Sequence, residues 1–154
     1  MTAGLTEWLD ASEQEVWRRL LAVECTLHDR LDRDLQSTHG LSLGDYDVLV
    51  HLSEAPGRSL RMSELADRLL LSRSGLTRRL DGMVSEGLVA RMVCPEDRRG
   101  TLAELTPKGT EMLREAAATH VAGVRRYLVG PLQSVGGMAA MRPGLGAIEK
   151  ALES

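Results

Sequence analysis

Apolar residues recur every three or four positions over the first third of the chain, which is the spacing of one face of an amphipathic helix. This spacing predicts a long helix over residues 12–39 that ends at Gly40. A shorter helix is predicted to begin at Ser42, its N-cap, and to end at the Pro56-Gly57 turn. The apolar positions of the long helix are Val16, Leu20, Val23, Leu27, Leu31 and Leu35.

Two short helices and two short strands are predicted in the middle of the chain. The helices cover residues 62–69 and 73–86, and the second has Ser72 as its N-cap and Gly87 as its stop. The strands cover residues 88–93 and 101–105, on either side of a charged turn. This order is typical of a winged helix-turn-helix, in which the second helix enters the major groove of DNA and the hairpin forms a wing.

Helical spacing returns in the last third of the chain. Thr106-Pro107 is a cap followed by an N1 proline, and the helix that it starts is expected to run to about Gly130. A last amphipathic helix is indicated by Met138, Met141, Leu145, Ile148 and Leu152, with a kink or break expected at Pro143-Gly144.

The expected fold class is mainly α with a small β-hairpin wing. Residues 42–105 would form the winged helix-turn-helix domain, and residues 12–39 and 106–153 a helical dimerisation region. A winged-helix core of roughly 60 residues covers only part of the apolar stripes on the terminal helices, and large exposed apolar strips are unusual on monomers. The sequence therefore predicts a two-fold homodimer.

Composition narrows the class of protein. The chain has 154 residues, of which 43% are hydrophobic and 3% aromatic, so the core must consist of aliphatic residues, which suit helices. Two cysteines are too few for a disulfide framework or a zinc site, and no apolar run reaches membrane-spanning length. The acidic N-terminal stretch lacks the apolar core of a signal peptide. We expect a cytoplasmic protein with no cofactor, no metal and no membrane partner.

Charge is unevenly distributed along the chain. Taken alone, the formal net charge of −3 argues against a nucleic-acid partner. However, residues 58–99 hold nine arginines and six acids, a net of +3, and the remainder carries a net of −6. The positive charge is concentrated on the predicted winged segment, which favours double-stranded DNA as the partner.

Side chains suited to DNA lie at two places in this segment. The first turns of the second short helix carry the donors Ser72, Arg73, Ser74, Thr77 and Arg78, and the predicted hairpin tip carries Asp97, Arg98 and Arg99. A tip arginine suits a narrow minor groove, and Asp97 is placed to orient Arg99 through a bidentate pair. Taken singly, these arginines and Arg79 are compatible with a solvated helix face or a charged turn. Their joint order within one motif favours DNA binding.

The same segment resembles the MarR (multiple antibiotic resistance regulator) family of bacterial repressors. The resemblance is carried by residues 71–81, Gly87-Leu88-Val89, Asp97-Arg98-Arg99-Gly100 and Leu105-Thr106. It implies a homodimeric regulator whose two reading helices bind a pseudo-palindromic operator, with Arg99 in the minor groove and Asp97 as its positioning partner. It also implies release by a small aromatic or anionic ligand where the dimer helices meet the winged helix.

The candidate contacts for such a ligand are His28, Tyr46 and His51, with Trp17 and His120 further away. Core packing is an alternative role for Trp17 and Tyr46. Some relatives sense oxidants through a cysteine of the first helix. Here Cys25 is expected to be buried and structural, and Cys94 to be exposed at the shoulder of the hairpin.

Other functions compete with ligand-responsive regulation of transcription. They are a winged-helix module for protein–protein association and a cysteine-based redox regulator. An enzyme is disfavoured because the sequence has no nucleophile turn, phosphate-binding glycine loop or HExxH motif.

Overall fold

The computed structural model describes residues 7–94 and 100–153. Helices dominate the described residues, and three short strands form one small sheet. In chain order the elements are α1 (Ala11–His39), α2 (Leu43–Glu54), a 3-10 turn (Pro56–Arg58), β1 (Ser59–Arg61), α3 (Met62–Arg68), α4 (Arg73–Ser85), β2 (Val89–Val93), β3 (Thr101–Leu105), α5 (Pro107–Val124), a π-helical turn (Arg125–Val129), α6 (Gly130–Ser134) and α7 (Met138–Leu152). The predicted fold class is confirmed.

Side-chain caps set the starts of α1, α2, α4 and α5, and the sequence predicts three of these caps. The hydroxyl oxygens of Ser42, Ser72 and Thr106 each accept a hydrogen bond from the backbone N–H three residues later. At α1 the cap is Asp10, which forms a reciprocal capping box with Glu13, so this helix starts slightly earlier than expected.

The sheet contains one strand that the hydrophobic pattern did not reveal. The predicted hairpin strands pair antiparallel, with Val89 opposite Leu105 and Val93 opposite Thr101. β1 adds to the other side of β3, with Leu60 opposite Ala103, which gives the order β1-β3-β2. The base of the wing is thereby joined to the segment that leads into α3.

The core is built from leucines where α2, α3 and α4 meet the sheet and the C-terminal part of α1. The largest fully buried side chains are Leu35, Leu49, Leu52, Leu65, Leu76, Leu80, Leu88, Val48 and Val89. In α1 only Leu31 and Leu35 are buried, and α5 crosses them closely. A Cβ on Gly123 of α5 would lie 2.7 Å from a methyl carbon of Leu31, so glycine permits this crossing.

Of the kink or break expected at Pro143-Gly144, the break is wrong. α7 keeps helical geometry through Pro143, and the interruption lies at residues 135–137, where Gly136 has a left-handed φ of 67°. The end expected near Gly130 is also displaced, since the π-helical turn and α6 extend the helix to Ser134. Pro143 has no N–H to donate to the Ala139 carbonyl oxygen and its ring crowds that oxygen, but Ala139 is exposed in the single chain, so water can hydrate the oxygen.

The terminal helices leave apolar side chains uncovered in the single chain. Trp17, for which a core position was one expectation, is 52% exposed. The other large apolar side chains exposed on α1 and α7 are Val16, Leu20, Leu21, Val23, Met138, Leu145, Ile148 and Leu152.

Candidate nucleic-acid interface

The N-terminal half of α4 presents a cluster of hydrogen-bond donors to solvent. The five residues selected from the sequence are brought together here and are all exposed; they are Ser72, Arg73, Ser74, Thr77 and Arg78. On the opposite side of the helix Leu76, Leu80 and Met83 are buried. Since its buried side anchors α4 in the core, its polar side faces solvent in a fixed orientation. We call α4 the reading helix.

The wing lies beside the reading helix. Its strands β2 and β3 continue as far as a hydrogen bond of 2.9 Å from the Cys94 N–H to the Gly100 carbonyl oxygen. The hairpin predicted from the sequence is confirmed up to this point. The predicted wing residues Asp97, Arg98 and Arg99 lie outside the described residues.

A groove of about 570 Å³ separates the reading helix from the wing. Three arginines line it, from the end of β1, the start of α4 and the middle of β2, and guanidinium groups are suited to contact phosphate. Its lining residues are Arg61, Met62, Ser63, Arg73, Thr77, Arg91, Gly100 and Thr101.

Arg91 connects the wing to the reading helix, a role that sequence reasoning did not assign. One guanidinium nitrogen lies 2.6 Å from the carboxylate of Asp81, and another donates to the Thr77 carbonyl oxygen at 3.0 Å. Both partners belong to α4. The only signal in the sequence is a charged residue in the middle of an apolar strand.

Arg79 is directed away from the exposed cluster. Its side chain is 31% exposed and reaches the N-terminus of α2, where it pairs with Asp45 at 3.2 Å. It therefore differs from Arg73 and Arg78, with which the sequence grouped it. Between α4 and α2 it contacts protein groups and not the groove.

The ligand candidates are only partly brought together. Tyr46 is buried and its ring stacks on His120 of α5, with centroids 4.6 Å apart. His28 is exposed on α1 and His51 half-buried on α2, and neither belongs to this stack. Nδ1 of His120 is buried without a hydrogen-bond partner. Burial lowers the pKa of His120, and the negative charge of Asp47 opposes this shift. The pKa of Tyr46 is raised, mainly by burial and to a smaller extent by the negative charge of Asp47.

Both expectations for the cysteines are wrong. Cys25 is exposed, because it lies on the part of α1 that extends beyond the core. Cys94 is buried at the base of the wing, where its backbone closes the strand pair.

The described part of the chain holds no group of three His, Cys, Asp or Glu side chains placed to bind a metal. No helix within it has the length and apolar character needed to cross a membrane.

A short helix, a tight turn, an exposed reading helix and an adjoining strand pair define a DNA-binding winged helix-turn-helix protein. Comparison with known proteins gives the family. A model of the MarR family matches residues 39–100. AbsC of Streptomyces coelicolor, a MarR family transcriptional regulator, is 39% identical and superposes with a TM-score of 0.86, over 96% of this chain and 99% of AbsC. The chain belongs to the MarR family of transcriptional regulators.

Two other similar proteins add information about the family. Sco3205, a MarR family regulator of Streptomyces coelicolor solved in complex with DNA, is 38% identical with a TM-score of 0.86, over 96% of this chain and 89% of Sco3205. The transcriptional repressor YetL of Bacillus subtilis is 29% identical over 112 residues, which are 73% of this chain. The matched region spans 66% of the length of YetL.

Proposed function

We propose that the protein is a homodimeric, sequence-specific transcriptional repressor that binds a pseudo-palindromic operator and is released by a small aromatic or anionic ligand. The observation that carries this proposal is the exposed donor cluster on the reading helix, beside a groove lined by three arginines. Ser72, Arg73, Ser74, Thr77 and Arg78 would contact the major groove, and Asp97, Arg98 and Arg99 would act at the wing. The relatives support this, since Sco3205 was solved with DNA and YetL is a repressor.

The proposed dimer is supported by the uncovered apolar side chains of α1 and α7. Trp17 and Val16 on α1 are more than half exposed in the single chain, and Ile148 on α7 is 48% exposed. Interleaving the two terminal helices with those of a second copy would bury these side chains. In such a dimer residues 12–39 and 106–153 form the dimerisation region. Residues 42–105 then present two reading helices about 34 Å apart, one turn of DNA.

Ligand release is supported by the stack between α2 and α5. Tyr46 offers an aromatic ring, and His120 offers a buried nitrogen without a partner. A ligand that bonds this nitrogen would change the packing of α2 on α5 and hence the orientation of the winged helix. Of the sequence candidates, Tyr46 has this structural support, and His28 and His51 remain secondary.

Selection of bound duplexes from random-sequence DNA tests the proposal. We expect one dimer to retain a palindromic site, with an affinity that falls steeply as salt is added. Arg99→Ala should weaken binding of the selected site with the fold intact, which would support the wing assignment. Recovery of no enriched sequence would instead favour the protein–protein module.

Redox control is a second candidate, favoured by the exposure of Cys25 on α1. Peroxide treatment should then release DNA from the native protein but not from a Cys25→Ser variant. Release that persists in the variant would exclude this role for Cys25.

A further inference from the structure

The N-terminus of α2 is bonded to two other helices. The carboxylate of Asp32 on α1 accepts a hydrogen bond of 2.8 Å from the Leu43 N–H. On the other side Arg79 of α4 donates to Asp45 at 3.2 Å and lies 3.5 Å from the Ser42 hydroxyl. The long helix α1 and the reading helix are therefore connected through a single turn of α2.

Hydrogen bonds within this turn hold the side chains of Ser42 and Asp45 in place independently of Arg79. The Ser42 hydroxyl donates to one oxygen of Asp45 at 2.6 Å and accepts from the Asp45 N–H at 3.0 Å. Asp45 is left with its other oxygen directed to Arg79. A carboxylate held in this way gives the guanidinium a defined position, which a freely rotating partner would not provide.

Gly44 supplies the space that the guanidinium occupies. A Cβ at this position would lie 2.6 Å from Cζ of Arg79, well inside van der Waals contact. Gly44 is the second residue of α2, and its lack of a β-carbon leaves room for the guanidinium to pass over the backbone of this first turn.

We propose that Arg79 is a positioning residue, which holds the reading helix at a fixed orientation on α2 and thereby sets the half-site spacing that the dimer accepts. This inference rests on the proposed dimeric binding of an operator. Adding one base pair between half-sites shifts them by about 3.4 Å along the axis and also rotates them. Only a dimer with rigidly held reading helices discriminates strongly against such a shift.

Two variants loosen this attachment in different ways. Gly44→Ala displaces the flexible end of Arg79 without removing a polar group, and alanine favours the helix. Arg79→Lys keeps the charge but loses the planar fork. Arg78→Lys is the matched control, since Arg78 is its exposed neighbour on the same helix.

The first measurement is the affinity of each protein for the selected operator and for duplexes with one base pair added to or removed from the centre. We expect both variants to lower the ratio of best to altered spacing by about three- to fivefold, the effect of a partly exposed ion pair. Arg78→Lys should weaken binding at every spacing and leave the ratio unchanged. If Arg79→Lys behaves like Arg78→Lys, Arg79 contacts DNA and the inference is wrong.

The second measurement needs neither DNA nor the dimer. Spin labels on Glu54→Cys and Ser85→Cys in a Cys25→Ser, Cys94→Ala background, diluted with an excess of unlabelled protein, report the distance between the ends of α2 and α4 within one chain. This distribution should broaden in both variants and stay narrow in the Arg78→Lys control. Unchanged widths would overturn the inference even where the wild type binds its operator, and broadened widths would support the positioning of α4 by Arg79 even where no operator is found.

Discussion

The guanidinium of Arg91 lies 2.6 Å from the carboxylate of Asp81, so a charged pair joins strand β2 of the wing to the reading helix. The same guanidinium donates to the Thr77 carbonyl oxygen one turn earlier in the helix. The two elements proposed to contact DNA therefore form one unit, whose internal geometry depends on a side chain that need not contact a base.

Removing this connection should affect binding more than folding. The Arg91 side chain is 32% exposed and that of Asp81 60%, so Arg91→Ala should lower the free energy of unfolding by about 1 kcal/mol or less. The Kd for the operator should rise by roughly tenfold, because a charge-assisted contact that orients the wing is lost. Urea unfolding and fluorescence anisotropy measure the two effects. Arg114→Ala removes an exposed pair on α5 and should change neither by a comparable amount.

Arg73 and Arg78 should determine base preference. Each alanine variant is expected to lose about 1–3 kcal/mol of discrimination at one or two operator positions, because base edges are read by charged donors. Binding to operators with single base-pair changes would show this loss position by position. Arg33→Ala serves as the control, since Arg33 pairs with Asp29 on α1. A uniform loss of affinity across all sequences would reassign these arginines to phosphate contacts.

Leu70 should be replaceable by glycine with a gain in stability. It lies between α3 and α4 with a left-handed φ of 53°, and its side chain is 92% exposed, so no burial offsets the strain. Leu70→Gly should raise the free energy of unfolding by about 0.5–1 kcal/mol in urea titrations. Leu70→Ala keeps a β-carbon and should gain little. Equal gains in stability from both variants would show that removal of the exposed leucine side chain, and not relief of backbone strain, causes the gain.

His120 should make stability depend on pH. Because burial lowers its pKa, the unfolded chain binds more protons than the folded chain as the pH falls. This contribution to stability is present above the unfolded pKa of about 6.5 and is lost as the pH falls through the folded pKa. His120→Phe keeps a ring against Tyr46 and should flatten the dependence in denaturant titrations between about pH 5 and 7. An unaltered slope in His120→Phe would contradict the prediction.

The helices were predictable because their signals are local. Ser42, Ser72 and Thr106 each cap the helix that follows within the same few residues, and the apolar spacing of α4 corresponds to its buried face. β1 escaped prediction because it has three residues, of which only Leu60 is buried, and it exists through pairing with β3 more than 40 residues later.

The site was predictable only in part, for a related reason. Exposure of Arg73 and Arg78 follows from the face of α4, but the directions of Arg79 and Arg91 depend on Asp45 and Asp81, which tertiary packing brings near. Cys25 was assigned the wrong burial because a position in a helix does not show whether the core reaches it, and Cys94 because a position beside a turn does not show what packs on it. At Pro143 the helical spacing of the apolar residues, which continues from Met138 to Leu152, was the better guide than the proline itself.

The long first helix has a consequence for how much active protein a cell contains. Its buried leucines lie only in its last third and Leu27 packs partly against the core, so the first 16 residues, roughly 24 Å of helix, lack support from the chain's own core. Isolated helical segments are marginal in water, and a second copy would supply the missing contacts. Under the proposed dimer, the ordering of this segment rises with protein concentration, and dilution removes helix and DNA-binding competence together. In that case the expression level of the protein itself regulates what fraction of it can bind DNA.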